Sequence, residues 1–152
     1  MIKHGKILVP TDFSKASAEA LRRAGKLALA FDAEVHLLHV IEPIIPIDLE
    51  SMPVLPDEAM NQAVHERAET RLAEMQQTAD YPVTVHLHES LGRTADFICD
   101  FASEEEMDLI VIGRQGTQGL IEHWLLGSTA EHVVRQAPCS VLVSMPHALL
   151  AD

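Results

Sequence analysis

Residues Asp108-Leu-Ile-Val-Ile, followed by Gly113-Arg-Gln-Gly116 and, after ten further residues, by Gly127-Ser128-Thr129, carry the strongest structural signal in this chain. The first five residues form a short apolar run, which predicts a buried strand. The glycines allow a positive φ and a close approach of the backbone to a ligand. A helix that begins at Ser128 presents free N–H groups and the positive end of its dipole, which suit an anion such as phosphate. This pattern predicts a strand, a ligand-binding loop and a helix start.

Strand-like and helix-like segments alternate along the rest of the chain. The run Lys6-Ile-Leu-Val-Pro10 is typical of a buried strand, and apolar residues recur at helical spacing after Ser14, a common capping residue. Right-handed crossovers between such segments predict an α/β, Rossmann-like fold: an open five-stranded parallel sheet with helices on both faces. The predicted strands are 6–10, 34–41, 82–88, 108–112 and 140–144; the predicted helices are 14–31, 57–79, 94–102 and 128–136.

The carboxyl ends of the predicted strands are the expected ligand site. Sheets of this type bind ligands beyond those ends, where the strand order reverses. In this chain the ends carry Pro10-Thr11-Asp12, Val40-Ile41-Glu42 and the glycines from Gly113. The polar and glycine-rich character of these ends predicts a binding site there.

The glycine pattern differs from two well-known phosphate-binding motifs. A P-loop requires GxxxxGK[ST], and no lysine follows Lys26. The dinucleotide fingerprint follows the first strand, whereas these glycines follow the fourth. Arg114 is the only lysine or arginine between Gly113 and Glu131. Glycine amides with so few cations favour binding over fast phosphoryl transfer, so we expect at most weak phosphoryl-transfer activity.

Length and charge exclude several classes of protein. The 152 residues predict a single domain over 1–146 with a short tail at 147–152. The net charge of −12 argues against nonspecific nucleic-acid binding and recruitment to anionic lipid. No apolar run is long enough to span a membrane. The amino terminus lacks a signal peptide and the two cysteines form no CxxC pair, which predicts a reduced, cytoplasmic protein.

Two segments are candidate partner surfaces. Residues 42–56 contain half of the prolines and predict a long loop, which is typically functional in a compact domain. The apolar strand 140–144, if it lies at a sheet edge, invites pairing with a second copy. The histidines carry less information: His86 and His88 are expected to be solvated on an edge strand, and His132 to be a partly exposed helix residue.

Taken together, these segments resemble the universal stress protein family over nearly the whole chain. The resemblance is carried by Lys6–Ser14, by Leu38-His-Val-Ile-Glu42, by Asp108–Gly113 leading into the spaced glycines, and by Ala137–Val143. It implies a sheet of the adenine nucleotide alpha hydrolase type, a homodimer formed through the last strand, and bound ATP or AMP with Mg²⁺ sharing the phosphate charge.

The resemblance also implies roles for individual residues. Asp12 and Val40 would lie at the adenine and ribose end of the nucleotide, with backbone atoms of Pro10 and Thr11. The ribose and phosphates would be surrounded by Gly113, Arg114, Gly116, Gly127, Ser128 and Thr129.

One departure from the family pattern keeps other functions open. Ten residues separate Gly116 from Gly127, where the family pattern has nine. A nucleotide-free, dimeric interaction protein is therefore an alternative to a nucleotide sensor. A slow ATPase is a second alternative, although no residue stands out as a base, and a carrier of flavin or another nucleotide is a third.

Overall fold

The computed structural model describes residues 4–43, 58–114 and 126–145. Strands and helices alternate through these residues as the sequence predicts, and the predicted α/β fold is confirmed. The strands are β1 (Lys6–Pro10), β2 (Glu34–Ile41), β3 (Val83–Glu89), β4 (Leu109–Gly113) and β5 (Ser140–Ser144). The helices are α1 (Lys15–Phe31), α2 (Glu58–Thr78), α3 (Thr94–Glu104) and α4 (Ser128–Gln136). The predicted loop beyond Pro43 and the predicted tail 147–152 lie outside the described residues.

All five strands are parallel and lie in the order β3-β2-β1-β4-β5. Ile7 of the central strand β1 aligns with Val35 on one side and Leu109 on the other. The chain moves from β1 to β2 in one direction and places β4 on the opposite side of β1. This reversal creates a crevice between the carboxyl ends of β1 and β4.

The sheet separates two apolar layers. On one face, α1 and Leu72 of α2 cover Ile7 and Val35. On the other face, Ile98 of α3 and Val133 of α4 pack over the strands. β1 is buried on both faces, which explains its uninterrupted apolar sequence.

Local capping fixes where α1 begins and ends. The Oγ of Ser14 accepts a hydrogen bond from the backbone N–H of Ser17, as its N-cap position requires. At the other end Asp32 adopts a left-handed conformation with φ of 54°, and its N–H bonds to the Ala28 carbonyl. Asp32 therefore ends the helix as glycine often does elsewhere.

The two edge strands of the sheet are β3 and β5. β3 is an edge strand as predicted, but His86 is not simply solvated, because its Nε2 lies 3.0 Å from Nδ1 of His36 and its ring packs edge-on against Phe101. His88 is exposed yet contacts Phe97. β5 is the opposite edge of the sheet, paired with β4.

Within the three described ranges, no helix has the length and apolar character needed to cross a membrane.

Candidate functional site

A cleft of about 720 Å³ opens at the carboxyl edge of the sheet. Its floor is formed by the ends of β1, β2 and β4, and its walls by the first half of α2 and the starts of α3 and α4. The cleft therefore lies at the reversal of strand order, where the fold predicts a ligand.

The turn after β1 forms one end of the cleft and is held by its own side chains. Thr11 is 6% exposed, and its hydroxyl lies 2.9 Å from that of Ser17 and accepts from the N–H of Phe13. Asp12 accepts from the N–H of Ser14 through Oδ1 at 3.0 Å. The capping role that is common for aspartate after a strand is thus present here. It leaves the second carboxylate oxygen of Asp12 outside this hydrogen bond.

His39 supports that turn from β2. A carbonyl oxygen can only accept, so Nδ1 of His39 donates to the Thr11 carbonyl across 2.7 Å. The imidazole also packs on the ring of Phe13, with 4.2 Å between the centroids. Burial lowers the pKa of His39, and the hydrogen bond to Thr11 and the charge of Asp12 only partly oppose this effect. His39 is therefore a neutral support for the cleft near pH 7.

The two ends of the glycine segment, residues 113–127, are joined by a backbone hydrogen bond. The N–H of Gly127 donates to the carbonyl of Arg114 at 2.8 Å. Arg114 is itself fixed, because its N–H donates to Ser144 and its side chain is only 4% exposed. Gly116 lies outside the described residues. Both ends of the segment are thus anchored: Arg114 bonds to Ser144 of β5, and Gly127 bonds to Arg114.

The expected positive φ is wrong at the described glycines, whereas their expected close approach to a ligand stays a prediction. None of the glycines in the described residues has a positive φ, and Gly127 has φ of −61°. Gly113 is required for packing instead, because a Cβ there would lie 2.8 Å from the carbonyl carbon of Ala16 in α1. Close approach of two backbones, rather than an unusual conformation, explains this glycine.

The helices α3 and α4 pack side by side on one face of the sheet, and side chains link their amino-terminal ends at the edge of the cleft. Arginine has only donors, so Arg93 donates from Nη1 to Nδ1 of His132 at 3.0 Å. The proton of His132 must then lie on Nε2, which donates to Asp96 at 2.6 Å. Beside this chain, Thr94 donates to the carboxylate of Glu42. His132 is a partly exposed helix residue, as predicted, and it also belongs to a chain of hydrogen bonds that the sequence does not reveal.

The arginines of this acidic chain are concentrated in the cleft. Four of its seven arginines line the cleft, namely Arg67, Arg71, Arg93 and Arg114. The other three, Arg22, Arg23 and Arg135, each pair with a glutamate of their own helix. The lining of the cleft thus carries four guanidinium groups against the carboxylates of Asp12 and Glu42, although the net charge of the chain is −12. An excess of cationic groups in a cleft attracts an anionic ligand.

Most of the predicted site residues lie together. Nine of the ten line the cleft: Pro10, Thr11, Asp12, Val40, Gly113, Arg114, Gly127, Ser128 and Thr129. Their contact with a ligand stays a prediction. Sequence reasoning missed Arg67, Arg71 and Arg93. The spacing of Arg67 and Arg71 by four residues, beside the buried Ala68 and Leu72, was the available signal.

The donor set does not indicate a protein-bound metal centre. Across 4–43, 58–114 and 126–145, no three His, Cys, Asp or Glu side chains are arranged to hold a metal ion. The thiols of Cys99 and Cys139 are free, and burial raises the pKa of both. Unreactive thiols are therefore expected, in agreement with a structural role.

Several solved structures share this fold. The structure of hypothetical protein MJ0577 is 27% identical, with a TM-score of 0.74, and the match covers 95% of this chain and 97% of that one. A universal stress protein in complex with cAMP is 22% identical, with a TM-score of 0.59 over 94% of this chain and 98% of that one. One from Archaeoglobus fulgidus in complex with dAMP is 21% identical, with a TM-score of 0.61 over 95% and 99%. The last two show similarity of fold.

Sequence comparison identifies the family. Universal stress protein MJ0531 of Methanocaldococcus jannaschii is 36% identical over 141 residues, which cover 91% of this chain and 80% of that protein. The model of the Universal stress protein family matches residues 3–144, and thus all five strands and all four helices described above. The chain belongs to the universal stress protein family.

Proposed function

We propose that this chain binds an adenine nucleotide, ATP or AMP, in the cleft and acts as a nucleotide-dependent sensor or regulator in the stress response. The observation that carries the proposal is the concentration of four of the seven arginines in one cleft of an acidic protein. Guanidinium groups match phosphate geometry with paired hydrogen bonds. The cAMP and dAMP complexes of other universal stress proteins are in keeping with an adenine nucleotide as ligand.

The start of α4 is the proposed position of the phosphates. Its N-cap, Gly127, has no side chain that could cap the first N–H groups, and among the described residues no side chain caps them. Uncapped N–H groups at a helix start suit an anion. Ser128 and Thr129 add hydroxyl donors on the same wall. The nucleoside would then extend towards Asp12 and Val40, as the family resemblance implies.

Mg²⁺ would bind mainly through the nucleotide. The cleft offers the hydroxyls of Ser128 and Thr129 and the carboxylates of Asp12 and Glu42, of which the carboxylates already accept hydrogen bonds. Magnesium commonly uses few protein ligands together with phosphate oxygens and water. This donor set suits a metal ion that accompanies ATP and shares its charge.

A homodimer through β5 and a cytoplasmic location complete the proposal. β5 has a neighbouring strand on one side only, among the residues that the structure describes, so its other edge can pair with a second copy. The loop beyond Pro43, which we expect to respond to nucleotide, lies outside those residues.

Calorimetric titration of the nucleotide-stripped protein with ATP and Mg²⁺, and separately with AMP, tests the proposal. The first informative variant is Ser128→Pro, because proline is tolerated at the first position of a helix but lacks an N–H. Ser128→Ala removes the hydroxyl alone, and Ser140→Ala serves as a control outside the cleft. We expect at least a tenfold loss of affinity in Ser128→Pro, a smaller loss in Ser128→Ala, and none in Ser140→Ala.

The outcomes separate the candidate functions. Binding that Ser128→Pro abolishes, with unchanged thermal stability, supports phosphate binding at α4. No heat with either nucleotide overturns the proposal and favours the nucleotide-free interaction protein. Equal binding by Ser128→Pro and the wild type contradicts the assigned position of the phosphates.

A further inference from the structure

The arginine pair on α2 is not explained by phosphates at α4. Arg67 and Arg71 are four residues apart and so lie on the same side of the helix. Their neighbours Ala68 and Leu72 are buried against the sheet, and both arginines line the cleft. Within the described part of the chain, neither guanidinium forms a salt bridge with a carboxylate, whereas Arg22 and Arg135 do. Among the residues that the structure describes, the cleft wall thus carries two exposed cations that form no salt bridge.

Arg71 is held in position before any ligand arrives. Its guanidinium carbon lies 4.6 Å from the centroid of the Phe13 ring, in a cation–π contact. Phe13 has φ of 65°, a left-handed conformation that is unusual for a bulky residue. The turn that holds it is fixed by the hydrogen bonds of Thr11 and Asp12. A guanidinium stacked on an aromatic ring keeps its N–H edge available for hydrogen bonds.

The α2 pair and the start of α4 lie on opposite sides of the sheet plane. Leu72 of α2 packs in the apolar layer shared with α1, whereas Val133 of α4 packs in the layer on the other face. The contact between Arg71 and Phe13 places Arg71 at the turn that contains Asp12, and Arg67 lies one helical turn away on the same side of α2. In the proposed binding mode the turn with Asp12 is at the ribose and adenine end. A phosphate at the α2 pair must therefore be attached to the nucleoside itself rather than to the 5′ chain.

From this arrangement we infer that Arg67 and Arg71 form a second phosphate subsite, and that the cleft takes adenine nucleotides phosphorylated on the ribose 2′ or 3′ hydroxyl as well as on the 5′ hydroxyl. The inference rests on the proposed function, because it assumes the nucleoside near Asp12. Asp12 is the carboxylate at that end of the cleft, and two guanidinium groups outweigh its single negative charge.

Adenosine 3′,5′-bisphosphate and ADP are the matched probes, since each carries two phosphates but only the first carries them on both sides of the ribose. Calorimetry of the nucleotide-stripped protein should show the bisphosphate binding at least tenfold more tightly than ADP or AMP. The 2′,5′ isomer distinguishes the two ribose positions. In Arg67→Gln/Arg71→Gln this preference should disappear, because the bisphosphate should lose at least tenfold more affinity than AMP does.

A control removes the same number of charges elsewhere. Arg22→Gln/Arg135→Gln deletes two exposed arginines outside the cleft and should retain the preference for the bisphosphate. If AMP binds but the bisphosphate binds no more tightly than ADP, the second subsite is wrong and the proposed function stands. Equal weakening of AMP and bisphosphate by the α2 substitutions also overturns the subsite. If no adenine nucleotide binds, the proposed function fails, and the subsite with it.

Discussion

Arg93 and His132 form a hydrogen bond of 3.0 Å that joins the residue before α3 to the second turn of α4. The bond has a defined direction, because the guanidinium can only donate and Nδ1 of the imidazole must accept. Asp96 fixes the other side of the ring by accepting from Nε2. The imidazole therefore determines where an exposed cation stands at the mouth of the cleft.

Replacing His132 should weaken nucleotide binding more than it affects folding. In His132→Phe, Arg93 loses its acceptor and Asp96 its donor, and we expect several-fold weaker binding of ATP. The free energy of unfolding should change by less than about 1 kcal/mol, because the pair of hydrogen bonds is largely exposed. Calorimetry and urea unfolding measure the two effects. His65→Phe, which breaks an exposed contact with Glu89, is the control, and wild-type ATP binding by His132→Phe would count against this role.

Acidification should destabilise the fold from about pH 6.5 downward. Burial lowers the pKa of His39 and of His86 from the ordinary value of 6.5, and for His86 the neighbouring His36 and His88 add to the effect. The folded protein then binds these protons less readily than the unfolded chain does. The free energy of unfolding is therefore highest above pH 6.5, where His39 and His86 are neutral in both states. It decreases as the pH falls towards the lower pKa values that these histidines have in the folded protein.

Melting temperatures measured between about pH 7.5 and 5.5 test this expectation, in a range above most carboxylate titrations. The wild type should lose stability in the lower half of the range. His39→Gln/His86→Gln should start from a lower stability, since hydrogen bonds are lost, but should depend less on pH. A double variant with the wild-type slope would show that other groups cause the effect.

Gly25→Ala should destabilise the protein although alanine is the better helix former. A Cβ at Gly25 would lie 1.8 Å from Cε1 of Tyr81, and Tyr81 would have to give up its hydrogen bond to the Leu21 carbonyl. We expect a loss of about 1–3 kcal/mol, against a gain of about 1 kcal/mol in helix propensity. Urea unfolding measures the balance. Gly92→Ala, where the nearest atom is 3.6 Å away, should stay within about 0.5 kcal/mol of the wild type.

Gly113→Ala should lower stability even without nucleotide. The added Cβ would meet the backbone of Ala16 at 2.8 Å, and a backbone cannot turn aside as a flexible side chain can. The free energy of unfolding of the nucleotide-free protein should fall by about 1–3 kcal/mol. Unchanged stability combined with lost nucleotide binding would falsify the packing explanation and return Gly113 to the role of a ligand contact.

The sequence predicts the fold well because each element has a local cause. The apolar run in β1, the capping hydroxyl of Ser14 and the glycine before α4 act over a few residues, and the structure has all three. The pairing of His36 with His86 depends instead on register. His86 lies opposite Leu38 rather than His36, so the two rings meet diagonally across β2 and β3, a relationship that no local pattern contains.

The candidate site likewise contains residues that local sequence predicts and residues whose position depends on tertiary packing. Asp12 and Gly127 follow from their places at a strand end and a helix start. Predicting that Arg67 and Arg71 line the cleft requires the rotation of α2 about its axis, which is set by the burial of Ala68 and Leu72 against the sheet. Of the apolar residues of α2, Ala68 and Leu72 are buried whereas Ala63 is exposed. A long polar helix carries too weak a periodicity for its cleft-facing side to be read from sequence alone.

The hydrogen bond from Gly127 to the Arg114 carbonyl changes how the departure from the family spacing should be judged. The two atoms lie 2.8 Å apart, so the ends of the segment meet in this chain although its spacer is one residue longer than the family pattern. An insertion or deletion between these anchors can be absorbed without shifting the helix that follows. Residue counting across this segment is therefore a poor criterion for sorting relatives into nucleotide-binding and nucleotide-free groups. Because Arg114 and Gly127 are hydrogen-bonded to each other, the residues between them are a suitable segment to exchange between members of the family.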